Sequence, residues 1–354
     1  MEEAVSQKRN GTLTAAWTGV PSDDDPALPP ERRAVTGSGG RWRRRRQRGE
    51  RLMVPKAEFR SYYGLPVLNQ PTWKAPDIAG YLFLGGLAGA SSGLAAAAEL
   101  TARPDLARAA RIGAVGALAG SLYGLIHDLG RPARFVNMLR VFKVTSPMSV
   151  GSWLLAAYGP QATLAAASAV TGRLPMLGRA AGIGAGVLGV GVATYTAALI
   201  SDTAVPVWHD GRRELPYLFA GSAAASAGGL GLLAAPLSQA GPASRIAVAG
   251  TLVEVLAAKV MQRCLGPVAE PLKDGPSGRL LRWGERLGVT GAVLGATAGR
   301  RSRLAAGVAG AALLVGSACT RFGLFRAGQK SAADPRYTVR PQREHLELRT
   351  DQRP

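Results

Sequence analysis

The chain has 354 residues, a formal net charge of +20 and a hydrophobic fraction of 47%. These averages combine two unlike regions, because residues 1–76 and 321–354 are polar and rich in Arg, whereas residues 77–320 are rich in Ala, Gly, Leu and Val. The two cysteines exclude an iron–sulfur cluster held by this chain alone, since such a cluster needs about four thiolates.

The composition predicts a basic, disordered N-terminal tail over residues 1–76, a transmembrane bundle over 77–320 and a polar C-terminal tail over 321–354. The first tail contains an Arg-rich block, residues 41–46, and has too little apolar surface to fold alone. No folded nucleic-acid-binding module accompanies the block, so we predict no nucleic-acid partner. We expect the tail to lie against anionic lipid instead.

Transmembrane spans are predicted from the length of the apolar segments, because a bilayer core needs about 20 consecutive apolar residues per helix. Six segments meet or approach that length: Ile78–Leu100, Ala109–His127, Met148–Gly172, Ala180–Ser201, Leu215–Leu237 and Ile246–Cys264. Two shorter ones follow, Leu287–Ala298 and Leu304–Thr320. Ala180–Ser201 contains no charge, which excludes an amphipathic helix of a soluble protein. We therefore predict an all-α, polytopic transmembrane bundle of about eight spans.

The charged loops predict the orientation of this bundle. With eight spans, both tails share one side with the second, fourth and sixth loops, and that side carries about twice as many Lys and Arg residues near the span ends. The sequence therefore predicts a multi-pass protein of the bacterial inner membrane with both termini in the cytoplasm.

Histidine and cysteine usage predicts that no redox cofactor binds this chain. There is no C-x-x-C-H motif for a c-type haem. A b-type haem would need two facing histidines, but His345 lies in the C-terminal tail, and His127 and His209 lie at loop margins. We predict no haem, no iron–sulfur cluster and no metal in this chain.

The end of the second span carries candidates for proton chemistry. His127 directly precedes Asp128, and an imidazole that titrates near neutral pH suits proton transfer to a reducible carbonyl group. Asp128 is expected to fix the tautomer of His127, while Arg131 and Arg134 add positive charge and Tyr123 offers a second donor. The alternative is that Asp128 caps the helix end and Arg131 contacts lipid phosphates.

Further ionisable residues lie in the fourth and sixth spans. Tyr195 lies within the fourth span, and Asp202 closes it, with Arg131 or Arg134 as the expected partner of Asp202. Glu254 lies inside the sixth span, where a carboxylate is costly unless it faces a cavity or another helix. We predict that Glu254 belongs to a proton path.

Five segments of the chain form a distinctive set of motifs. They are the first-span run from Tyr81, the run His127-Asp-Leu-Gly-Arg-Pro-Ala-Arg-Phe, Asn137 to Lys143, Ser146 to Trp153, and Tyr195-Thr through Trp208. Together they resemble the NrfD/polysulfide reductase membrane subunit (NrfD/PsrC) family. The resemblance implies eight helices, a menaquinone or ubiquinone site near the helix ends, an iron–sulfur partner subunit and a molybdopterin-containing catalytic subunit. The predicted function is electron exchange between the iron–sulfur partner subunit and menaquinone or ubiquinone, with proton translocation left open.

The site residues follow from combining this resemblance with the clusters above. The predicted catalytic residues are His127 and Asp128; the quinone-binding residues are Tyr123, Arg131, Arg134, Tyr195 and Asp202; the proton-path residue is Glu254. The family places its partners on the side of the N-terminal tail and the second and fourth loops, and the charge bias puts that side in the cytoplasm. We therefore expect a cytoplasm-facing assembly.

Two other classes of function remain open. A secondary transporter would require repeats with broken helices, and Pro160 interrupts the third predicted span without a matching break in the other half. A purely structural anchor would not need ionisable residues near helix ends, so Asp202 and Glu254 argue against it.

Overall fold

The computed structural model describes residues 67–69, 71–131, 133–339 and 341–342, and every regular element in these ranges is a helix. The predicted all-α fold is confirmed. Eight long helices are joined by three short ones: α1 Ala75–Leu100, α2 Pro104–Asp128, α3 Ala133–Met138, α4 Pro147–Thr171, α5 Pro175–Ser201, α6 Pro206–Asp210, α7 Leu215–Ala234, α8 Gly241–Cys264, α9 Glu270–Lys273, α10 Gly275–Ala296 and α11 Arg303–Ala333. Short 3-10 turns cover Gly266–Ala269 and Ala298–Arg300.

The helix starts follow from local sequence. Seven of the eight long helices carry Pro at one of their first two positions, where the missing N–H group has no intrahelical partner to lose. The exception is α11, which begins after Ser302, whose hydroxyl accepts from the N–H of Ala305. Proline and a serine cap thus set where each long helix begins.

The eight long helices correspond one to one with the eight predicted spans. Their bounds differ at the C-terminal end, since α10 begins at Gly275 rather than Leu287 and α11 continues past Thr320 to Ala333. Helix α4 runs without a break through Pro160. Five of the helices, α1, α2, α5, α7 and α11, are long and apolar enough to cross a membrane. The other three long helices are less apolar, so the count of eight spans stays a prediction.

The long helices pack as two groups of four. Helix α1 packs against α2 and α5, with α4 on α5, while α7 packs against α8 and α11, with α10 on α11; α7 also contacts α1 and α5. Gly89 of α1 faces Gly189 of α5 so closely that a Cβ atom on either would overlap the backbone of the other. Small residues therefore permit the close helix contact that membrane bundles need.

The two ends of the bundle are marked by contacts between distant segments. At one end, here called the tryptophan end, the ring centroids of Trp73 and Trp208 lie 6.1 Å apart, and Gln329 Nε2 donates to the carbonyl of Trp73 at 3.2 Å. Glu99 and Arg111 form a 2.9 Å ion pair at the opposite end. Helix α1 begins and α11 ends at the tryptophan end.

Candidate functional site

The imidazole of His127 is held by a carboxylate from the neighbouring helix. Nδ1 of His127, near the end of α2, lies 2.9 Å from Oδ2 of Asp77 in the first turn of α1. Gly124 permits this approach, because a Cβ atom there would lie 2.9 Å from the carbonyl oxygen of Asp77. The His127 side chain remains 52% exposed, so the ring is oriented on one edge and accessible on another.

This contact corrects the expected role of Asp128 in fixing the tautomer of His127. Successive residues on an α-helix point about 100° apart, so neighbours in sequence do not face each other. Oδ1 of Asp128 instead accepts from the backbone N–H of Lys74 at 3.3 Å. Asp128 thereby joins the end of α2 to the start of α1, which agrees with the alternative that it stabilises a helix end.

Tyr123 extends the exposed surface of His127. The two rings are stacked, with centroids 5.9 Å apart and an interplanar angle of 14°, and Tyr123 is 71% exposed. Arg131 and Arg134 are exposed beyond the end of α2, and Arg134 donates to the carbonyl of Leu129 at 3.1 Å. The end of α2 thus brings five of the predicted site residues to the tryptophan end: Tyr123, His127, Asp128, Arg131 and Arg134.

Tyr195 lies one layer deeper in the bundle, where its hydroxyl is hydrogen-bonded to that of Tyr81. Tyr81 is buried and lies four residues after Asp77 on α1, so the two share one face of that helix. Gly151 of α4 leaves the space that the ring of Tyr195 fills. The Asp77–His127 pair and the Tyr81–Tyr195 pair therefore form consecutive layers, about 6 Å apart along α1.

A known protein family matches the part of the chain that forms both layers of the site. Residues 67–266 match the family model described as NrfD, polysulphide reductase, and that range contains both layers of the site. The protein belongs to the NrfD family. This confirms the resemblance noted from the sequence motifs. A search among curated proteins finds no match for the chain. Family membership identifies a multi-pass membrane subunit of an oxidoreductase complex.

Sequence reasoning did not assign Asp77 or Tyr81 of this NrfD family member to the site. Asp77 is an acid in the first turn of an apolar helix, a signal that could have drawn attention to it. Its partner lies 50 residues away, and the partner of Tyr81 lies 114 residues away. Neither pairing can be read from local sequence, because each depends on how the helices are rotated.

Asp202 lies apart from this cluster of contacts. It is exposed at the end of α5 and lines an open depression of about 900 Å³ together with His209 and Tyr337. Burial raises the pKa of Tyr337 to about 12, so its hydroxyl stays protonated at neutral pH. The expected pairing of Asp202 with Arg131 or Arg134 is corrected, because no ion pair joins Asp202 to either arginine among the described residues.

Glu254 lies in the second group of helices, on α8. It is only 8% exposed and lies near the hydroxyls of Thr320 and Ser222, and it attracts the charge of Arg321 without forming a direct ion pair among the described residues. Arg321 is 1% exposed, and its Nη2 donates to the backbone carbonyl of Phe219 at 2.7 Å. Its guanidinium carbon also lies 3.6 Å from the centre of the phenyl ring of Phe219. Sequence reasoning missed Arg321 because it assigned that residue to a polar tail.

The described residues contain no group of three or more His, Cys, Asp or Glu side chains that could hold a metal ion. Cys264 is exposed, Cys319 is partly buried, and both are free thiols. The groups that this NrfD family member offers at its helix ends are an oriented imidazole, phenol hydroxyls, carboxylates and guanidinium groups. These can donate hydrogen bonds, move protons and stabilise a developing negative charge.

Proposed function

We propose that the protein exchanges electrons between an iron–sulfur partner subunit and menaquinone or ubiquinone, which binds at the tryptophan end. The observation that carries this proposal is the His127–Asp77 pair with the Tyr81–Tyr195 pair one turn deeper. Reduction of a quinone couples two electrons to two protons, so the site must supply hydrogen-bond donors and a proton route. An oriented imidazole at the membrane boundary supplies both.

Each residue has a defined part in this proposal. A hydrogen bond from Nδ1–H to Asp77 leaves Nε2 of His127 to share a proton with a quinone oxygen. Tyr123 lies parallel to the imidazole, and Arg131 and Arg134 add positive charge that stabilises a developing oxyanion. Asp128 keeps the ends of α1 and α2 in register.

The remaining predicted residues extend the same site. Tyr195 supplies a second phenol donor. Its hydroxyl forms a hydrogen bond with that of Tyr81, and its O–H can rotate towards a bound quinone instead. Asp202 belongs to the neighbouring depression at the end of α5, where it would exchange protons with water. Glu254 is the proposed proton-carrying group within the membrane, since a buried carboxylate there is costly and calls for a functional reason.

The partner subunits are proposed to dock at the tryptophan end. The connection between α3 and α4 exposes Val141, Phe142 and Val144 beside Arg140 and Lys143, and such a mixed apolar and basic surface is typical of an interaction site. An iron–sulfur subunit bound there would lie next to His127, with a molybdopterin-containing subunit completing the complex. The membrane subunit itself would hold neither haem nor cluster.

Replacing His127 tests the proposal. In the intact complex, His127→Ala should slow quinone turnover by about a hundredfold, because it removes the group that transfers the proton. The control is Tyr217→Ala, since Tyr217 is 66% exposed near the start of α7, lines neither the depression beside Asp202 nor any part of the His127 cluster, and should leave turnover unchanged. Turnover is measured with a water-soluble quinone analogue on purified complex. A wild-type rate for His127→Ala in an assembled complex would rule the site out.

A further inference from the structure

A cavity of about 210 Å³ lies between α8, α10 and α11 in the second group of helices. Its mouth is lined by exposed charged residues, Lys273, Arg282 and Glu285. Its floor is lined by the buried residues Glu254, Thr251 and Thr320, and its walls by apolar side chains such as Leu218, Met261 and Leu324. The lining therefore changes from charged and exposed to polar and buried along its length.

Three buried polar atoms at or near the floor have no hydrogen-bond partner among the described residues. One is Oγ1 of Thr251, which lines the floor; the other two are Nε and Nη1 of Arg321, which does not line the cavity itself but interacts electrostatically with the floor residue Glu254. Thr251 is 5% exposed and Arg321 is 1% exposed. Since nearly all buried polar groups in proteins are satisfied by protein or ordered water, these atoms indicate bound water.

The charge of Glu254 also indicates that water occupies the cavity. Glu254 and Arg321 interact electrostatically, yet two of the three guanidinium nitrogens of Arg321 make no hydrogen bond to any described residue. A polar contact between groups that do not touch is commonly bridged by water. A polar cavity of this volume has room for several water molecules.

The cavity extends along α8 from the tryptophan end towards the middle of the helix. Gln262 lines it two residues before the end of α8, at the tryptophan end, and Thr251 lies eleven residues deeper. At 1.5 Å per residue this separation is about 16 Å, roughly half of a hydrocarbon core of about 30 Å.

We infer that this cavity is a water-filled access route that connects the tryptophan end to Glu254 at mid-membrane. Water and protons are its ligands, and the carboxylate of Glu254 exchanges its proton with the aqueous phase on that side. Arg321 is a positioning residue, because it keeps a positive charge next to the carboxylate. The inference deepens the proposed proton-carrying role of Glu254 and rests on it for its functional meaning.

Single cysteines probe the route in membranes that contain the full chain. With Cys264 and Cys319 replaced by Ala, a cysteine is placed at Thr251 on the floor, at Ala258 nearer the mouth or at Leu252 as a control. Leu252 is adjacent to Thr251 but 58% exposed on the outer face of the bundle, where it would face lipid. The probe is silver ion, which reaches thiols through water, and the thiols that remain are counted with a maleimide after denaturation.

We expect Thr251→Cys and Ala258→Cys to react at least tenfold faster than Leu252→Cys. Right-side-out and inverted vesicles are compared, and a variant that retains only the exposed Cys264, at the end of α8, reports which preparation presents the tryptophan end. The two cavity cysteines should react faster in that same preparation. The inference is overturned if Thr251→Cys reacts as slowly as Leu252→Cys, or if it reacts faster from the opposite side.

The labelling outcome is independent of quinone turnover, so failures of the two proposals can be told apart. Slow labelling of the floor removes the access route, whatever the activity of the complex. Fast labelling supports the route, and a wild-type turnover rate for Glu254→Gln would then count against the proposed proton-carrying role alone.

Discussion

At the scale of single residues, the position of Asp77 decides which carboxylate acts with His127. Asp77 is 14% exposed and lies on another helix, whereas Asp128 points away and binds the backbone of Lys74. An acidic partner on a histidine fixes its tautomer and raises its basicity. The catalytic contribution should therefore depend on Asp77 more than on Asp128.

Replacing each carboxylate by its amide distinguishes these roles. Asp77→Asn keeps the shape of the side chain but removes its charge, so quinone turnover should fall by about tenfold, as for other partners that orient a functional histidine. Asp128→Asn should cause a smaller loss. Both rates are measured on intact complex across pH, and an equal loss in the two variants would contradict the assignment.

The buried pair in the second group of helices makes a separate prediction. Glu254 and Arg321 attract each other without a direct ion pair, so Glu254→Gln or Arg321→Gln alone should lower the free energy of unfolding by about 1–3 kcal/mol, the cost of a buried polar group left without its partner. The double variant should recover most of that loss. Unfolding is followed in mixed micelles with increasing denaturing detergent.

The exposed ion pair Lys259–Glu285 provides the control for this comparison of single and double variants. Its charged atoms lie 3.4 Å apart, but both side chains are about half exposed, so each single change should cost less than about 1 kcal/mol. Strictly additive effects of Glu254→Gln and Arg321→Gln would show that the two buried charges are not coupled.

At the scale of helices, the contact between α1 and α5 holds the first group of helices together. Gly89 and Gly189 meet there with no space for a side chain, and the obstacle on each side is backbone, which cannot move out of the way as a side chain can. The same helix α1 carries both Asp77 and Tyr81. The geometry of the candidate site therefore depends on this crossing.

Gly89→Ala tests that dependence. The added methyl group should force α1 and α5 apart and lower the free energy of unfolding by about 2 kcal/mol, a usual cost of overpacking. Gly93→Ala is the matched control, because a Cβ atom at Gly93 has nothing within 4 Å. Thermal unfolding of the purified protein compares the two variants, and equal midpoints would contradict the importance of the crossing.

At the scale of the whole molecule, the helices arrange the proposed chemistry in two separate groups. The first group carries the His127–Asp77 and Tyr81–Tyr195 layers, and the second carries the cavity that leads to Glu254. Both open at the tryptophan end, where α1 begins and α11 ends. The orientation of the protein in the membrane thus decides from which compartment the His127 cluster and the cavity at Glu254 would exchange protons.

Reporter fusions test this sidedness. Because the loops on the side of both tails hold about twice as many Lys and Arg residues, a reporter fused after Pro354 should be active only if it works in the cytoplasm. A second fusion in the connection between α5 and α7, at the tryptophan end, should behave in the same way. Activity of a periplasm-dependent reporter at either point would contradict the predicted orientation.

The sequence by itself determined the helical fold, the membrane class and the family. Apolar length, proline at helix starts and short motifs such as the run from His127 to Phe135 are local properties, so they can be read without knowing which helices touch. It also identified His127, Tyr195 and Glu254 as unusual, since ionisable and phenolic groups near or within apolar spans need a reason.

Only the tertiary structure decided the partners of these residues. His127 pairs with Asp77 rather than with its neighbour Asp128, Tyr195 meets Tyr81, and Glu254 shares its surroundings with Arg321. Each contact joins different helices, and the apolar spans leave their relative rotation undetermined, because lipid-facing and buried faces are similarly apolar. Rotation and register follow from close contacts such as the one at Gly89, which exist only once the helices are packed.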